Sequence, residues 1–312
     1  SDSQISWIGY SMQKVRITLP GTITFGPALN SLALAIGLHT TVEISHRSDD
    51  ALIVEASGEG SGHYGIGLRH PVVLSMMRVF QKQERAPRGV TVRIQNAIPV
   101  TDGLGAENAF NIAGVIGPNN LLDTSHNRLQ MLELAASLSP APYHTAASII
   151  GGLVTSLTVN GRLLHRPITV QPLQIIIILP DLPRYPAEAN LIRPDRILFN
   201  DVAYNLDRVP LMIEALRTGD LPLLGDVLDD RLRLPMLKPL LTGYDHVTEM
   251  ARRAGASAIT LCGDGPAIVA FASDNHAEVA STMVTAFDNS GIKARSWVVP
   301  IDRQGVVISV IG

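Results

Sequence analysis

The sequence predicts an α+β protein in which strands and helices are mixed. Segments that alternate apolar and polar residues stand beside segments with helical spacing, and no regular strand–helix repeat connects them. The 312 residues are 46% hydrophobic and 17% charged, which is enough apolar material for a sizeable core. Only 4% are aromatic, so the core must be built mainly from Val, Ile, Leu and Ala.

The first half of the chain carries strands and helices in irregular order. Period-two alternation predicts strands over 14–20, 40–45, 51–57 and 90–98. Helical spacing predicts helices over 70–83, 127–138 and 143–152, and Pro71 suits a first helical turn. A helix of small residues is expected after the glycines at 103 and 105. The turn Asn160–Gly161 joins two further strands into a hairpin.

The second half begins with the apolar run at 174–179, which is short enough for a buried strand. Helices are predicted around 184–192, 200–217, 240–254 and 275–289, strands at both ends of 257–272, and further strands over 293–299 and 305–311. We divide the chain into an extension (1–11), a first domain (12–165) and a second domain (166–312).

Composition excludes several functional classes. The net charge of −3 provides no basic field for nucleic acid or for an anionic membrane surface. No apolar run approaches the roughly 20 residues of a membrane span. The single Cys262 excludes an internal disulfide and fits a reducing compartment, so a cytoplasmic protein is expected. His63, His70 and His165 show no metal-binding spacing.

The stretch PVTDGLGAENA (99–109) is the first candidate site. Its glycines would let backbone N–H groups line an anion cradle at a helix N-terminus. Asp102 and Glu107 flank those glycines, and each would cost a bound triphosphate on the order of 1–4 kcal/mol. A structural interpretation is also open: Glu107 suits the first turn of a helix, and Asp102 suits an Asx turn.

Three longer stretches resemble the GHMP small-molecule kinases, and in particular the homoserine kinases. DVAYNLDRVPLMIEALRTGDLPLL (201–224) is similar to that family's DAVFNLSRAALLVAALATGDLDLL. LDDRLRLP…LLTGYDHV (228–247) is similar to DDRLHQP…LIPGYDEV, and GASAITLCGDGPAIVAF (255–271) to GALGVTLSGAGPTVLAL. The resemblance covers nearly everything from Met12 onward. It implies a GHMP-kinase fold, with a ribosomal-S5-like first domain, a ferredoxin-like second domain, and a homodimer.

The functional motifs of that family are altered in this chain. The phosphate loop P-x-x-x-G-L-G-S-S-A appears with Ala106 and Glu107 in place of the two serines, so both hydroxyls are lost. The family's E-G-H-P-D-N segment falls on residues 139–144. Ser139 then replaces the magnesium-binding acid, Tyr143 the catalytic aspartate and His144 the asparagine.

The substrate contacts that the resemblance implies are altered as well. The asparagine and aspartate of A-N-L-G-P-G-F-D fall on Thr24 and Asn30. An arginine expected after the LPD strand falls on Asn190. Asp264 replaces an alanine in the G-A-G-P turn, which packs beside the phosphate loop, and a solvent-facing turn aspartate is the plainer explanation of it.

These departures favour a homoserine-kinase-like protein that has lost the standard site and binds or converts another small molecule in the inter-domain cleft. The candidate catalytic residues are Glu107, Tyr143 and His144, with His144 as acid or base and Glu107 as its partner. The candidate ligand-binding residues are Thr24, Asn30, Asp102, Gly103, Leu104, Gly105, Ala106, Asn108 and Asp264. No metal-ligand set is predicted, and the cofactor is left open.

Two other functions remain open. In the first, the protein is a working ATP-dependent kinase of homoserine or another small alcohol, with Glu107 taking over the magnesium role. ATP and Mg²⁺ would then be the cofactors. In the second, the protein is a structural partner whose cleft is filled by its own side chains, as Tyr143 and His144 would do if they only pack.

Overall fold

The structure, a computed structural model, describes residues 14–65, 67–100, 103–122, 127–189, 192 and 196–311. Within these residues the chain forms two sheets. The strands of the first sheet are β1 (Lys14–Ile23), β2 (Leu32–Arg47), β3 (Leu52–Gly58), β4 (Gly89–Asn96), β5 (Leu153–Val159), β6 (Arg162–Ile168) and β11 (Val307–Ile311). The strands of the second are β7 (Gln174–Pro180), β8 (Ala256–Leu261), β9 (Ile268–Ala272) and β10 (Ala294–Pro300).

The helices of the first half pack on one face of the first sheet. They are α1 (Pro71–Gln83), α2 (Ala106–Leu121), α3 (Arg128–Leu138) and α4 (Pro142–Ile150). The second half adds α5 (Tyr185–Ala189), α6 (Phe199–Thr218), α7 (Leu221–Val227), α8 (Leu234–Leu237), α9 (Tyr244–Arg253) and α10 (His276–Asn289). No helix in the described ranges is both long and apolar enough to cross a bilayer.

The first sheet has the strand order β11-β1-β2-β4-β3, and β5 and β6 branch from the start of β2. Its two faces differ in chemistry because side chains alternate along each strand. Val15, Ile17 and Leu19 of β1 are buried in the main core, whereas Arg16 and Thr18 lie on the opposite, polar face. This alternation is the pattern that predicted β1.

The second sheet is antiparallel, with the order β10-β7-β9-β8. In sequence order that is fourth, first, third, second, the ferredoxin-like arrangement that the resemblance implied. From Ile175 onward β7 is apolar and buried, because both of its faces are covered. Ile175 and Ile177 belong to the core shared with the first sheet, and Ile176 and Ile178 pack in a second core with α9 and α10.

Several element boundaries differ from those predicted. β2 begins at Leu32 rather than at 40, because residues 32–36 are buried and carry no alternation. The helix predicted over 184–192 is short, Tyr185–Ala189. The helix predicted over 240–254 begins at Tyr244. The C-terminal strand β11 pairs with β1 in the first sheet. Strand β6 (Arg162–Ile168) runs across the predicted domain boundary at 165 and 166. The division at 165 and 166 stays a prediction.

The two halves of the chain meet at the glycine stretch. The Thr22 N–H donates to the Leu104 carbonyl at 3.0 Å, and the Gly263 N–H donates to the Thr24 carbonyl at 2.6 Å. The end of β1 therefore contacts both the glycine stretch and the turn after β8, and it brings residues from three parts of the chain to one place.

Replacing Gly105 by alanine is expected to lower the free energy of unfolding by about 2–5 kcal/mol. Its φ of +81° costs a side chain about 1–2 kcal/mol. An added Cβ would also lie 2.9 Å from the Thr22 backbone nitrogen, and such overpacking adds about 1–3 kcal/mol. Urea denaturation measures the loss. The matched control is Gly161→Ala, because Gly161 has a φ of +76° but open space around an added Cβ. This variant should lose only the about 1–2 kcal/mol that arises from the backbone conformation. Equal losses in the two variants would contradict this account.

Candidate functional site

The two glycines of the glycine stretch have left-handed backbone conformations, for reasons of packing. Gly103 and Gly105 have φ values of +79° and +81°. A Cβ on Gly103 would lie 2.5 Å from the Cys262 carbonyl oxygen, and one on Gly105 would clash with Thr22 Oγ1. Close approach to β1 and to the turn after β8 therefore requires both glycines, whether or not the loop binds an anion.

A cavity of about 210 Å³ opens where α2 begins. It is lined by Gly103, Gly105, Ala106, Glu107, Asn108, Asn111, Pro140, Ala141 and His144. The structure therefore brings two predicted catalytic residues, Glu107 and His144, to one cavity with four of the predicted ligand-binding residues. Leu104 is fully buried beneath the loop and contributes its backbone rather than its side chain.

Glu107 is engaged by a residue that sequence reasoning did not select. The Tyr64 hydroxyl donates to Glu107 Oε1 at 2.8 Å. The Tyr64 ring is held edge-on against His70 and Phe110, at centroid distances of 5.3 and 5.9 Å. Burial and the neighbouring Glu107 carboxylate raise the pKa of Tyr64, so this hydroxyl stays a donor. The contact joins the glycine-rich loop before α1 to the first turn of α2.

Asn108 is the polar side chain buried deepest in the cavity wall. Its Oδ1 accepts hydrogen bonds from the hydroxyls of Ser139, at 3.2 Å, and Thr145, at 2.9 Å. Its Nδ2 is buried and has no hydrogen-bond partner in the described part of the chain. Since an unmatched buried donor costs about 1–3 kcal/mol, this amide suits an oxygen atom of a ligand.

His144 lies beside the cavity as a neutral ring. Its Nδ1 is 2.9 Å from Thr22 Oγ1. Burial, together with the positive charge of Arg233, lowers the pKa of His144 to about 4. The adjacent Tyr143 is half-buried, and burial and the Asp264 carboxylate raise its pKa, so its hydroxyl keeps its proton near neutral pH. The two rings lie 4.7 Å apart.

The remaining predicted residues differ in their placement. Thr24 is buried at the end of β1, and its carbonyl accepts the Gly263 N–H. Asn30 is exposed in the turn before β2, and it does not line the cavity. Asp264 is exposed in the turn after β8, with Oδ1 3.7 Å from Arg233 Nη1. Asp102 and Asn190 lie outside the described residues.

Arg233 is a second residue that sequence reasoning did not select. It lies just before α8, its side chain is 13% exposed, and its Nη2 donates to the Gly26 carbonyl at 3.5 Å. A signal was present, because the resembling stretch DDRLHQP has histidine where this chain has Arg233. The arginine brings a permanent positive charge to the same region as Tyr143, His144 and Asp264.

The residues present do not fit Mg²⁺ and ATP in the way the resemblance implies. The hydroxyl positions of the loop are Ala106 and Glu107, and Glu107 accepts the Tyr64 hydrogen bond. Among the described residues no group of three or more His, Cys, Asp or Glu is placed to hold a metal ion. The positions to which the resemblance assigns the catalytic aspartate and asparagine carry the rings of Tyr143 and His144, both uncharged near neutral pH.

Comparison with known proteins identifies the class. The sequence profile described as the C-terminal domain of GHMP kinases matches residues 212–289. The homoserine kinase of Moorella thermoacetica is 30% identical over 291 residues, covering 92% of this chain and 97% of that protein. The homoserine kinase of Prochlorococcus marinus is 28% identical over 301 residues, covering 94% and 95%.

Solved structures show the same fold. The homoserine kinase of Cytophaga hutchinsonii superposes with a TM-score of 0.83 at 21% identity, covering 95% of this chain and 97% of that one. The galactokinase of Lactococcus lactis, solved with galactose, gives 0.69 at 16% identity, covering 94% and 95%. The fold is that of the GHMP kinases. Within that class, the chain belongs to the homoserine kinase family.

The low pKa of His144 leads to a prediction about acid stability. An unfolded histidine takes up its proton near pH 6.5, whereas His144 does so near pH 4. Between these values the unfolded chain binds more protons, so the free energy of unfolding must fall as pH decreases from about 6.5 to about 4. The slope of this free energy against pH reports the number of protons taken up on unfolding. His144→Gln should lower that number by up to one, as measured by urea denaturation at several pH values between about 4 and about 6.5. The exposed His246→Gln is the control. His70, whose pKa burial also lowers to about 4, keeps part of the slope in every variant. A slope unchanged by His144→Gln would show that the ring is not neutral in the folded protein.

Proposed function

We propose that this member of the homoserine kinase family binds or converts a small polar molecule in the cavity at the start of α2, and that it has lost efficient phosphorylation of homoserine. The observation that carries the proposal is the state of Tyr143 and His144. They take the positions of the family's catalytic aspartate and its neighbouring asparagine, and neither supplies a carboxylate there.

The proton chemistry of the two rings supports this proposal. A general base for a hydroxyl group works best with a pKa near the working pH. The pKa of Tyr143 is raised and that of His144 is lowered to about 4, so neither matches that requirement near pH 7. The His144 Nδ1 is also engaged with the Thr22 hydroxyl. A phosphoryl acceptor bound here would lack the base that the family pattern provides.

The charges around the glycine stretch support it independently. Phosphoryl transfer depends on positioning and on neutralising the charge of the phosphates. Glu107 adds a negative charge to the first turn of α2, where a triphosphate would bring several more. The repulsion, on the order of 1–4 kcal/mol for each close carboxylate, exceeds the about 0.3–1 kcal/mol supplied by the helix terminus.

A second candidate is a working small-alcohol kinase with Glu107 as a magnesium ligand. The observation in its favour is that Glu107 is exposed and lines the cavity beside the glycines. It would require Mg²⁺ to displace the hydrogen bond from Tyr64. If the protein converts its ligand, the cavity would allow a proton-transfer reaction in which Glu107 is paired with His144. The expected homodimer and cytoplasmic location stay predictions.

Restoring the family motifs should create the activity that the wild type lacks. The wild-type protein, given Mg-ATP and homoserine, should release ADP at the background rate in a coupled assay. The variant with Ala106→Ser, Glu107→Ser, Tyr143→Asp and His144→Asn should release it at least about tenfold faster, which corresponds to about 1.4 kcal/mol in the barrier. The control carries the two loop changes alone, and circular dichroism confirms folding of each variant.

The same ADP-release assay can also show that the protein is a working kinase. If the wild type turns over at rates typical of enzymes, about 1 s⁻¹ or faster, and Glu107→Gln abolishes that turnover, then Glu107 has the magnesium role and the proposal is wrong.

A further inference from the structure

Glu107 is a carboxylate beside a cavity, and it has no cation as a partner. Its Oε1 accepts the hydrogen bond from the Tyr64 hydroxyl at 2.8 Å. Among the described residues no Lys, Arg or His forms an ion pair with it, whereas Glu43, Glu55 and Glu59 are each paired with an arginine. Its Oε2 accepts no hydrogen bond from the described part of the chain. This second oxygen is therefore available to a ligand.

The described residues that line the cavity carry no positive charge. They include no lysine and no arginine. His144 is among them, and burial lowers its pKa to about 4, so the ring is neutral near pH 7. The start of α2 favours an anion by about 0.3–1 kcal/mol, whereas a close carboxylate opposes one by on the order of 1–4 kcal/mol. The cavity therefore disfavours anions and favours a cation beside Glu107.

Thr22 determines which nitrogen of the His144 ring carries the proton. Thr22 is fully buried, and within the described residues its hydroxyl has one hydrogen-bond partner, His144 Nδ1 at 2.9 Å. A proton on Nδ1 would leave the Thr22 hydroxyl without an acceptor in that part of the chain, which costs about 1–3 kcal/mol. The hydroxyl therefore donates to Nδ1, and the neutral ring carries its proton on Nε2.

The cavity wall consequently holds two N–H donors that lack a partner. His144 Nε2 has no hydrogen-bond partner among the described residues, and it is not one of their fully buried atoms. Asn108 is 7% exposed, and its Nδ2 has no partner there either. Both side chains line the same cavity as Glu107. The wall thus matches a ligand that has a cationic donor at one end and an acceptor oxygen at the other.

We propose that this cavity binds a small aliphatic amine that carries a hydroxyl or carbonyl oxygen. The ammonium group donates to Glu107 Oε2, and the ligand oxygen accepts from His144 Nε2, with Asn108 Nδ2 as the second donor. The volume of about 210 Å³ has room for a molecule of roughly seven water-sized groups. The proposal deepens the proposed function by naming the ligand class, and it rests on the cavity being a small-molecule site.

The experiment measures binding to the wild-type protein by isothermal titration and ligand-observed NMR near pH 7, where aliphatic amines are protonated. The probes are ethanolamine and 4-amino-1-butanol. Each is compared with its uncharged isostere, ethylene glycol or 1,4-butanediol, and with an alkylamine that lacks the oxygen, propylamine or pentylamine. At least one amino alcohol should bind saturably, and at least about threefold more tightly than its diol and its alkylamine. The anionic probe, 4-hydroxybutanoate, should bind more weakly than 1,4-butanediol.

Two substitutions assign the preference to its residues. Glu107→Gln should weaken binding of the amino alcohol by roughly three- to thirtyfold, between the values for an exposed ion pair and for a charge-assisted hydrogen bond. The matched control is Glu133→Gln, which removes the same charge at an exposed position on α3 outside the cavity and should leave binding unchanged. His144→Phe keeps a ring but removes the donor, so the preference for the amino alcohol over the alkylamine should fall by about three- to tenfold.

Nitrogen-15 NMR tests the arrangement of His144 without a ligand. The chemical shifts of the ring nitrogens distinguish a protonated nitrogen from an unprotonated one, and loss of the signals in His144→Gln assigns them. The wild-type protein near pH 7 should show a proton on Nε2 and none on Nδ1. A proton on Nδ1 would overturn the role of His144 as the donor.

The outcomes separate this inference from the proposed function. Absence of saturable binding by both amino alcohols, diols that bind as tightly as the amino alcohols, or equal effects of Glu107→Gln and Glu133→Gln would overturn the amine site. Diols that bind tightly would still support a small-molecule cavity. Efficient phosphorylation of homoserine by the wild type would overturn the proposed function, yet a Glu107-dependent preference for amines would still stand. If His144→Phe fails to fold, the comparison of amino alcohol with alkylamine on the wild type decides whether the donor is present.

Discussion

The site depends on one packing constraint: the glycine stretch is wedged between the end of β1 and the turn after β8. Gly103 and Gly105 have no room for a Cβ, and the Thr22 N–H and Leu104 carbonyl hold the contact together. This contact joins the two sheets and brings the start of α2 beside His144 and the Gly263 turn. It explains why both glycines are required whether or not the loop binds an anion.

Electrostatics then determine what the cradle accepts. The start of α2 carries Glu107, and the positions that the resemblance assigns to the family's catalytic pair carry Tyr143 and His144, which are uncharged near neutral pH. Arg233 is the nearest cation that the described residues bring to this region, and its charge is already shared between Asp230 and Asp264. Such a site tolerates one added negative charge far better than several.

Much of the fold could be predicted because it is encoded in local patterns. The alternation of β1 and the apolar run at 174–179 in β7 both predicted strands, and a helix was predicted over 200–217, where α6 lies. The start of β2 was missed because residues 32–36 are buried without alternation. In the site, the altered positions Glu107 and His144 were identified from the motif spacing, and they share a cavity. The engagement of Glu107 by Tyr64 and the orphaned donors of Asn108 and Arg233 arise from contacts between distant segments, which no local pattern reports.

The central claim is that the cradle survives as a shape while its charges exclude a nucleotide triphosphate. Titration calorimetry of the wild-type protein with Mg-ATP tests it most directly, at nucleotide concentrations up to the millimolar range. The account predicts no saturable heat in that range. A dissociation constant in the micromolar range, lost when Glu107 is replaced by glutamine, would contradict it and would mark the protein as a nucleotide-dependent phosphotransferase.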